Sequence, residues 1–268
     1  MYQILKAEKL ADKIYLMDVK APRVACACEP GEFVIVKMDE EGERIPLTIC
    51  DFNREEGTIT IVFQTVGAST EKMAELKAGD AFRDVVGPLG NASDFVKEDV
   101  AELKNKKYLF VAGGVGAAPV YPQVKWMHEH GIDVDVIVGY ERKGMVTEVI
   151  KDLVQNQGKK YDVCVAIGPM IMMKFVCLLT KELGLPTIVS LNPIMVDGTG
   201  MCGACRVTVG GKVKFACVDG PEFDGHEVNF DEAMKRQQMY KTEEGRALLK
   251  LREGDTHHGG CGHCGGND

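Results

Sequence analysis

The segment FVAGGVGAAPVYP, residues 110–122, decides how the middle of the chain folds. An apolar strand runs into a glycine turn at Gly113, Gly114 and Gly116, and a helix begins directly after the turn. In this arrangement the phosphates of a dinucleotide meet the free N–H groups of a helix N-terminus. The spacing differs from G-x-G-x-x-G, because Pro119 stands where the third glycine would be. The segment therefore predicts a nucleotide-binding turn with its own spacing.

The chain after this segment repeats the order strand, then helix. DVDVIVGY leads into EVIKDLVQN, and YDVCVAIGP leads into MMKFVCLLTKELG. Buried strands that alternate with helices indicate a doubly wound parallel sheet, so we expect a Rossmann-like nucleotide domain over residues 98–191. Gly168, Pro169 and Met170 follow its third strand and are candidate nucleotide contacts, although helix core is an alternative role for the methionine.

Two residues after the second strand of this domain bear on the choice of nucleotide. Glu141 favours the free ribose hydroxyl of NAD, whereas Arg142 beside it favours the additional phosphate of NADP. The acid favours NAD(H), and NADP(H) stays open as the alternative.

Residues 1–97 follow a different rhythm. Short alternating stretches such as KIYLMDV, EFVIVKM and TITIVFQTV are separated by Gly, Pro and Asn or Asp turns, which predicts a small antiparallel barrel. In RIPLTICD, residues 44–51, Arg44 offers a fork of donors to a phosphate, and Thr48 offers a hydroxyl to a flavin ring. The backbone N–H groups that open the next helix would face a pyrophosphate, and they belong to Gly67, Ala68, Ser69 and Thr70.

The late cysteines have the spacing of an iron–sulfur site with one substitution. Plant-type [2Fe-2S] sites use C-x4-C-x2-C and a more distant fourth ligand. Here Asp197 stands in the first position, Cys202 and Cys205 follow, and Cys217 lies further along the chain. A carboxylate is a harder ligand than a thiolate but carries the same unit charge. We therefore expect a [2Fe-2S] region over residues 192–229 with these four residues as ligands.

Alternatives stay open at this site. The three cysteines and some fourth group are a candidate zinc site, although zinc ribbons usually pair two C-x2-C knuckles. Asp219 is a competing oxygen donor, and a turn cap is another role for Asp197. Residues 230–268 are expected to form a helix over 230–251 and a Gly/His/Cys tail, in which Cys261 and Cys264 have no assigned role.

Composition excludes several classes of function. The chain has 32 Lys and Arg against 40 Asp and Glu, a net charge of -8, so no basic field attracts nucleic acid or an anionic membrane. The first residues show no apolar signal-peptide run, and Lys174 and a Gly-Pro pair interrupt the apolar segment 163–180. We expect a cytoplasmic protein, without membrane or nucleic-acid partners, whose clustered cysteines bind metal rather than form disulfides.

The combined motifs resemble the ferredoxin-NADP reductase superfamily. R-x-P-L-T at residue 44, then G-x-x-T at residue 67 and GPLG at residue 87 are similar to its FAD-binding barrel. The sequence G-G-x-G-x-A-P from residue 113 is similar to its nicotinamide-nucleotide turn. The resemblance implies further cofactor contacts at Pro46, Leu47, Ile49, Phe63, Gln64, Gly87 and Pro88.

The order of barrel, nucleotide domain and cluster loop resembles two kinds of electron-transfer subunit. In that of dihydroorotate dehydrogenase, the cluster loop carries four cysteines. In the small subunit of electron-bifurcating NADH-dependent ferredoxin:NADP oxidoreductase, also called sulfide dehydrogenase beta subunit, one aspartate and three cysteines bind the cluster. The stretches VSLNPIMVDGTGMCGACRV and CVDGPEFDGHEV are more similar to the second kind.

This resemblance implies an NAD(H)-linked flavin and iron–sulfur oxidoreductase subunit that contains FAD and a [2Fe-2S] cluster. Hydride would be exchanged with NAD(H) at FAD, and single electrons with a large partner subunit in a heterodimer or larger assembly. That large subunit would carry a second flavin and [4Fe-4S] clusters and would use NADPH and ferredoxin. An electron-transfer subunit of the dihydroorotate dehydrogenase type and a non-enzymatic electron-carrier module are the alternatives.

Overall fold

The computed structural model of the protein describes residues 1–139 and 145–253. Its first part is a seven-stranded sheet in the order β6-β1-β2-β5-β4-β3-β7, in which all paired strands are antiparallel. This architecture confirms the expected N-terminal barrel. The strands are β1 Tyr2–Ala11, β2 Ile14–Lys20, β3 Phe33–Lys37, β4 Ile45–Asn53, β5 Thr58–Gln64, β6 Ala81–Phe82 and β7 Asp84–Leu89. Two short helices, α1 Pro22–Ala27 and α2 Ala68–Met73, lie between strands.

Alternation of side chains along the strands builds the barrel core. In β5, the apolar residues Ile59, Ile61 and Phe63 are all buried, whereas their neighbours in the sequence are half-buried or exposed. Successive side chains of a strand point to opposite faces, so one face of β5 fills the barrel and the other does not. Burial of such apolar surface stabilises the fold by about 25 cal/mol per Å².

The second part is a five-stranded sheet in the order β14-β11-β10-β8-β9. Its strands are β8 Tyr108–Gly113, β9 Val134–Gly139, β10 Val163–Ile167, β11 Thr187–Ser190 and β14 Glu222–Asp224. Strands β8, β9, β10 and β11 are parallel to one another, which confirms the expected nucleotide-domain sheet. Its helices are α3 Val100–Leu103, α4 Ala117–Glu129, α5 Val146–Lys151 and α6 Met170–Glu182.

The two faces of this sheet are covered by different helices. Phe110 and Ala112 share a hydrophobic cluster with Val120 and Met127 of α4. Side chains on the opposite face pack with residues of α5 and α6. All six residues of β8 are buried, as expected of a central strand with helices on both faces.

The cluster region, residues 192–229, contacts both the barrel and the nucleotide domain. It contains the hairpin of β12 Arg206–Val209 and β13 Lys212–Phe215 and the short helix α7 Ala216–Asp219. Its strand β14 pairs antiparallel with β11 and so completes the sheet of the nucleotide domain. A further hydrophobic cluster contains Phe33 and Ile35 of the barrel together with Cys205 and Cys217.

The C-terminal segment differs from the expected single helix over residues 230–251. It forms two helices, α8 Phe230–Arg236 and α9 Lys241–Glu253. The chain turns between them at Tyr240, whose φ of 67° lies in the left-handed region and is incompatible with a continuous right-handed helix. No residue of α9 is buried, whereas α8 buries Phe230 and Ala233. Within the two described ranges, no helix is long and apolar enough to cross a membrane.

Candidate flavin, nucleotide and iron–sulfur sites

The four predicted cluster ligands lie in two pairs. Asp197 Oδ1 is 3.3 Å from Cys202 Sγ, and Cys205 Sγ is 3.2 Å from Cys217 Sγ. In the described part of the chain, no three His, Cys, Asp or Glu side chains form a site for a single metal ion. Two pairs of donors suit a two-iron cluster, in which each iron takes two protein ligands.

The Asp197 carboxylate is held by its own loop. Oδ1 accepts a hydrogen bond from Thr199 N at 3.2 Å, and Oδ2 accepts from Met201 N at 3.1 Å and from Cys202 N at 3.2 Å. Burial alone would raise the pKa of this carboxyl, but the hydrogen bonds from Cys202 and Thr199 outweigh it and lower the pKa to about 2. The side chain is therefore ionised at neutral pH, which is the form that binds metal.

The competing acid, Asp219, is engaged elsewhere. Its Oδ2 accepts a hydrogen bond from Phe215 N at 2.7 Å, and its Oδ1 lies 3.8 Å from Lys214 Nζ. Asp219 therefore caps the turn from β13 into α7, whereas Asp197 contacts a predicted cysteine ligand. This geometry favours Asp197 as the oxygen donor.

The two donor pairs lie in different surroundings. Cys205 and Cys217 are 1% and 2% exposed, whereas Cys202 is exposed at the surface. Burial, followed by the hydrogen bond with Cys205, raises the pKa of the Cys217 thiol. A bound cation reverses this effect, because it stabilises the thiolate and a coordinating thiol therefore releases its proton to solvent. The donor set thus fits an iron–sulfur cluster with one buried half and one half near the surface.

The predicted flavin residues line the start of β4 and the end of β5, which are neighbouring strands. Thr48, Pro46 and Leu47 are half-buried, and Gln64 is exposed at the end of β5. Ile49 and Phe63 are buried in the barrel core instead, at 1% and 2% exposure. Gly87 and Pro88 lie in β7, which pairs with β3. Contact of these residues with FAD stays a prediction.

The start of α2 provides the predicted pyrophosphate turn. Thr70 Oγ1 accepts hydrogen bonds from Val66 N at 2.9 Å and Gly67 N at 3.1 Å. Ser69 Oγ donates to a carboxylate oxygen of Glu43. A methyl group built on Gly67 would meet no atom within 4 Å, so the backbone here faces open space. The barrel therefore has room for a phosphate group beside this turn, together with Ala68, the first residue of the helix.

The two predicted nucleotide turns pack directly against each other. A methyl group built on Gly116 would lie 2.2 Å from Ile167 O and 2.9 Å from Gly168 Cα. One built on Gly113 would lie 2.3 Å from Met172 Sδ and 3.1 Å from Pro169 Cδ. Because the atoms close to Gly116 belong to the backbone, only glycine permits the approach at that position. The contact brings together turns that are more than fifty residues apart in the sequence.

Between these contacts, Gly114 faces open space with a φ of 55°. Pro119 is half-buried in the first turn of α4. Met170 is 4% exposed and belongs to the hydrophobic core of this domain, which favours a packing role for its side chain. Glu141 and Arg142 lie outside the described residues, so the preference for NAD(H) stays a prediction.

The flavin strand and the nucleotide helix are in contact. Lys125 Nζ of α4 donates to Asp51 Oδ1 of β4 at 2.7 Å, and this hydrogen bond raises the pKa of Lys125. Strand β4 carries Thr48, and α4 begins at the nucleotide turn. The fold therefore places the predicted flavin and nucleotide elements side by side, as hydride exchange between the two cofactors requires.

Sequence reasoning missed a polar junction among all three parts. Glu222 Oε1 of β14 accepts hydrogen bonds from Ser93 Oγ at 2.9 Å and from Gln123 Nε2 of α4 at 2.7 Å. Burial raises the pKa of the Glu222 carboxyl to about 7, against the opposing effect of the Ser93 hydrogen bond. The Oε1 atom of Gln123 is buried without a hydrogen-bond partner among the described residues. No spacing rule predicts this junction, because its residues are about 30 and 100 positions apart.

Comparison with known proteins agrees with this arrangement. The iron–sulfur cluster binding domain of dihydroorotate dehydrogenase B matches residues 192–229. A Thermotoga maritima protein described as an electron transfer subunit homolog of dihydroorotate dehydrogenase B (NAD(+)) is 42% identical, over 90% of this chain and 92% of its own. An uncharacterized Clostridium beijerinckii protein from the adh 3' region is 61% identical over 98% of both chains.

Solved structures show the same relationship. A chain from the structure of NADH-dependent reduced ferredoxin-NADP oxidoreductase, solved to study flavin-based electron bifurcation, superposes with a TM-score of 0.84. It is 41% identical, and the match covers 94% of this chain and 98% of that one. A cytochrome P450 reductase from Amycolatopsis shares the fold alone, with a TM-score of 0.54 and 16% identity over 68% of this chain and 65% of that one.

Fold, site and relatives together define an oxidoreductase flavoprotein of the ferredoxin-NADP reductase superfamily with an iron–sulfur region. The chain belongs to the family of the small subunit of electron-bifurcating NADH-dependent ferredoxin:NADP oxidoreductase. The resemblance stated from the motifs is thereby confirmed. The relatives are electron-transfer subunits of larger complexes, and the family relationship supports the same general role for this chain.

Proposed function

We propose that this chain is the NAD(H)-linked subunit of a heteromeric electron-bifurcating transhydrogenase. The pairing of Asp197 with Cys202 and of Cys205 with Cys217 supports this proposal most directly, because it supplies one oxygen and three sulfur donors in two pairs. FAD bound to the barrel would exchange a hydride with NAD(H) and single electrons with a [2Fe-2S] cluster. NADPH and ferredoxin would be used by a large flavin and [4Fe-4S] partner subunit.

Each element of the chain has a definite part in this function. Thr48 and the start of α2 hold the flavin on the barrel, and the turn from Gly113 to Gly116 holds the nucleotide. The contact between Lys125 and Asp51 keeps the two binding elements adjacent. Asp197 is half-buried and Cys202 is exposed, so this side of the cluster would be the one that comes within electron-transfer distance of a partner's redox centre.

The test is anaerobic purification of the full chain with assay of FAD, iron, acid-labile sulfide and zinc. We expect one FAD, two irons and two sulfides per chain, and reduction of an artificial dye by NADH. Cys202→Ala is the matched variant, since it should lose the cluster and keep flavin and dye reduction. Zinc in place of iron, or a colourless protein, would refute the proposal.

The second candidate is an electron-transfer subunit of the dihydroorotate dehydrogenase type. The family match over residues 192–229 and the Thermotoga maritima relative favour it. The aspartate at position 197 speaks against it, because four cysteines are expected there in that family. Isolation of the complex from the native host decides between them. A partner that oxidises dihydroorotate supports the second candidate, and one that oxidises NADPH and exchanges electrons with ferredoxin supports the first.

A further inference from the structure

Arg44, which the sequence predicts as a ligand of a phosphate group, donates hydrogen bonds to backbone carbonyl groups of the protein. It directly precedes β4, the strand that carries Thr48. Its Nε donates to Val196 O at 2.8 Å, and its Nη2 donates to Asp197 O at 3.2 Å. These acceptors are 152 and 153 residues away in the sequence and belong to the iron–sulfur loop. Two of the five N–H groups of the guanidinium therefore hold the backbone of the predicted aspartate ligand and of the residue before it.

A second feature fixes the same end of the loop on the barrel. Gly198 is buried and has a φ of 78°. A methyl group built on it would lie 2.6 Å from Ile35 Cδ1 and 2.8 Å from Leu89 Cδ1. The backbone beside Asp197 thus contacts side chains of β3 and β7. Arg44 holds the same part of the loop through its two hydrogen bonds.

The positive charge of Arg44 affects the reduction potential of an iron–sulfur centre bound by the loop. A guanidinium keeps its positive charge at all accessible pH values and presents its donors in a rigid fork. A nearby positive charge favours the more negative, reduced form of an iron–sulfur centre, because net charge and local hydrogen bonds set the reduction potential of such centres. Arg44 therefore combines a geometric hold on Asp197 with an electrostatic effect on the cluster.

We infer that Arg44 is a positioning residue for the iron–sulfur cluster: it ties the Asp197 ligand to the flavin strand and raises the reduction potential of the cluster. The inference rests on the proposed function, since it requires a cluster at Asp197. It differs from a phosphate-binding role, because the bonds to Val196 and Asp197 hold the cluster loop. These two bonds use only part of the fork, so the same guanidinium can also contact a phosphate.

The test compares holoprotein variants by EPR spectroscopy of the reduced cluster, by redox titration and by flavin content. We expect Arg44→Gln to shift the cluster potential to more negative values by about 59 mV, a tenfold change in the one-electron equilibrium, and to alter the EPR g-values. Arg44→Lys keeps the charge without the fork, so it should restore most of the potential and keep altered g-values.

Arg54→Gln is the matched control. Arg54 follows β4 and donates to Cys28 O and to Glu29 Oε1, away from the cluster loop. This variant removes the same charge from the barrel and should leave the cluster potential and EPR spectrum unchanged. An equal shift in both variants would show a general charge effect and overturn the inference.

The remaining outcomes are also decisive. Loss of flavin from Arg44→Gln with an unaltered cluster spectrum and potential would assign Arg44 to the phosphate alone and overturn the inference. Loss of the cluster with flavin retained would support it. Should Arg44→Gln fail to fold, Arg44→Lys decides, since a wild-type EPR spectrum in that variant contradicts a positioning role. A wild-type protein without a cluster would refute the proposed function before any variant is compared.

Discussion

Asp197 Oδ1 lies 3.3 Å from Cys202 Sγ, so the carboxylate and one of the predicted cysteine ligands are in contact within the loop. Backbone N–H groups of Met201 and Cys202 converge on its other oxygen. The loop is therefore curled around this carboxylate.

Asp197→Cys should keep a [2Fe-2S] cluster and change its reduction potential. A thiolate is a softer donor than a carboxylate and carries the same charge, so the cluster assembles but its electronic environment differs. Iron and sulfide analysis with redox titration measures both effects. Asp219→Asn is the control, since Asp219 contacts Phe215 N rather than a cysteine, and it should keep the iron and sulfide content of the wild type. An unchanged potential in Asp197→Cys would argue against ligation.

Gly198→Ala should weaken the attachment of the cluster loop to the barrel. The added methyl group would collide with Ile35 and Leu89, and the φ of 78° adds backbone strain. Overpacking of this kind costs about 1–3 kcal/mol. We expect reduced iron content and a lower melting temperature, measured by iron assay and by circular dichroism. Gly211→Ala is the control, because its φ of 72° brings similar strain but its methyl group meets nothing within 4 Å.

Gly116→Ala should disrupt the nucleotide domain. Its methyl group would lie 2.2 Å from the carbonyl oxygen of Ile167, and a backbone atom cannot move aside as a flexible side chain can. The cost is about 1–3 kcal/mol or more, with loss of NADH-dependent dye reduction. Gly67→Ala meets no atom within 4 Å and has an extended backbone, so the thermal stability of that variant should match the wild type.

Stability should depend on pH through Glu222. Its folded-state pKa, about 7, lies above the ordinary value of 4.5. The folded state thus holds the proton more tightly than the unfolded state, and this contribution is present below pH 4.5 and is lost as the pH rises to 7. Glu222→Gln should remove this dependence and stabilise the protein at pH 8 by about 1–3 kcal/mol.

Melting temperatures at pH 5.5 and pH 8 provide the measurement for Glu222. Glu129→Gln, an exposed position at the end of α4, is the control and should retain the wild-type pH dependence. Equal pH dependence in Glu222→Gln and the wild type would show that this carboxyl does not titrate in the expected window.

The sequence predicted those parts of the fold that repeat a local pattern. Alternation in β5 identified the barrel, and apolar strands followed by helices identified the parallel sheet, because both patterns arise from neighbouring residues. The spacing from Asp197 to Cys205 predicted the cluster loop for the same reason. The break at Tyr240 was missed, since the residues on both sides favour helix and only the backbone shows the left-handed turn.

Contacts between distant segments were beyond prediction. The bonds from Arg44 to Val196 and Asp197 join positions about 150 residues apart, and β14 joins the nucleotide sheet through only three residues. The strand is too short to show a period, and the arginine motif fits a phosphate equally well. Tertiary packing determines such features, and a single sequence carries no local signal of them.

The unequal burial of the two donor pairs gives the loop a vulnerable side. Cys205 and Cys217 are enclosed by apolar side chains of the barrel, such as Phe33 and Ile35, whereas Cys202 is open to solvent. Dissolved oxygen, peroxide and chelators reach the Cys202 side first, so damage to a metal centre in this loop begins there. A docked partner that covers Cys202 would therefore also act as a shield against oxidation.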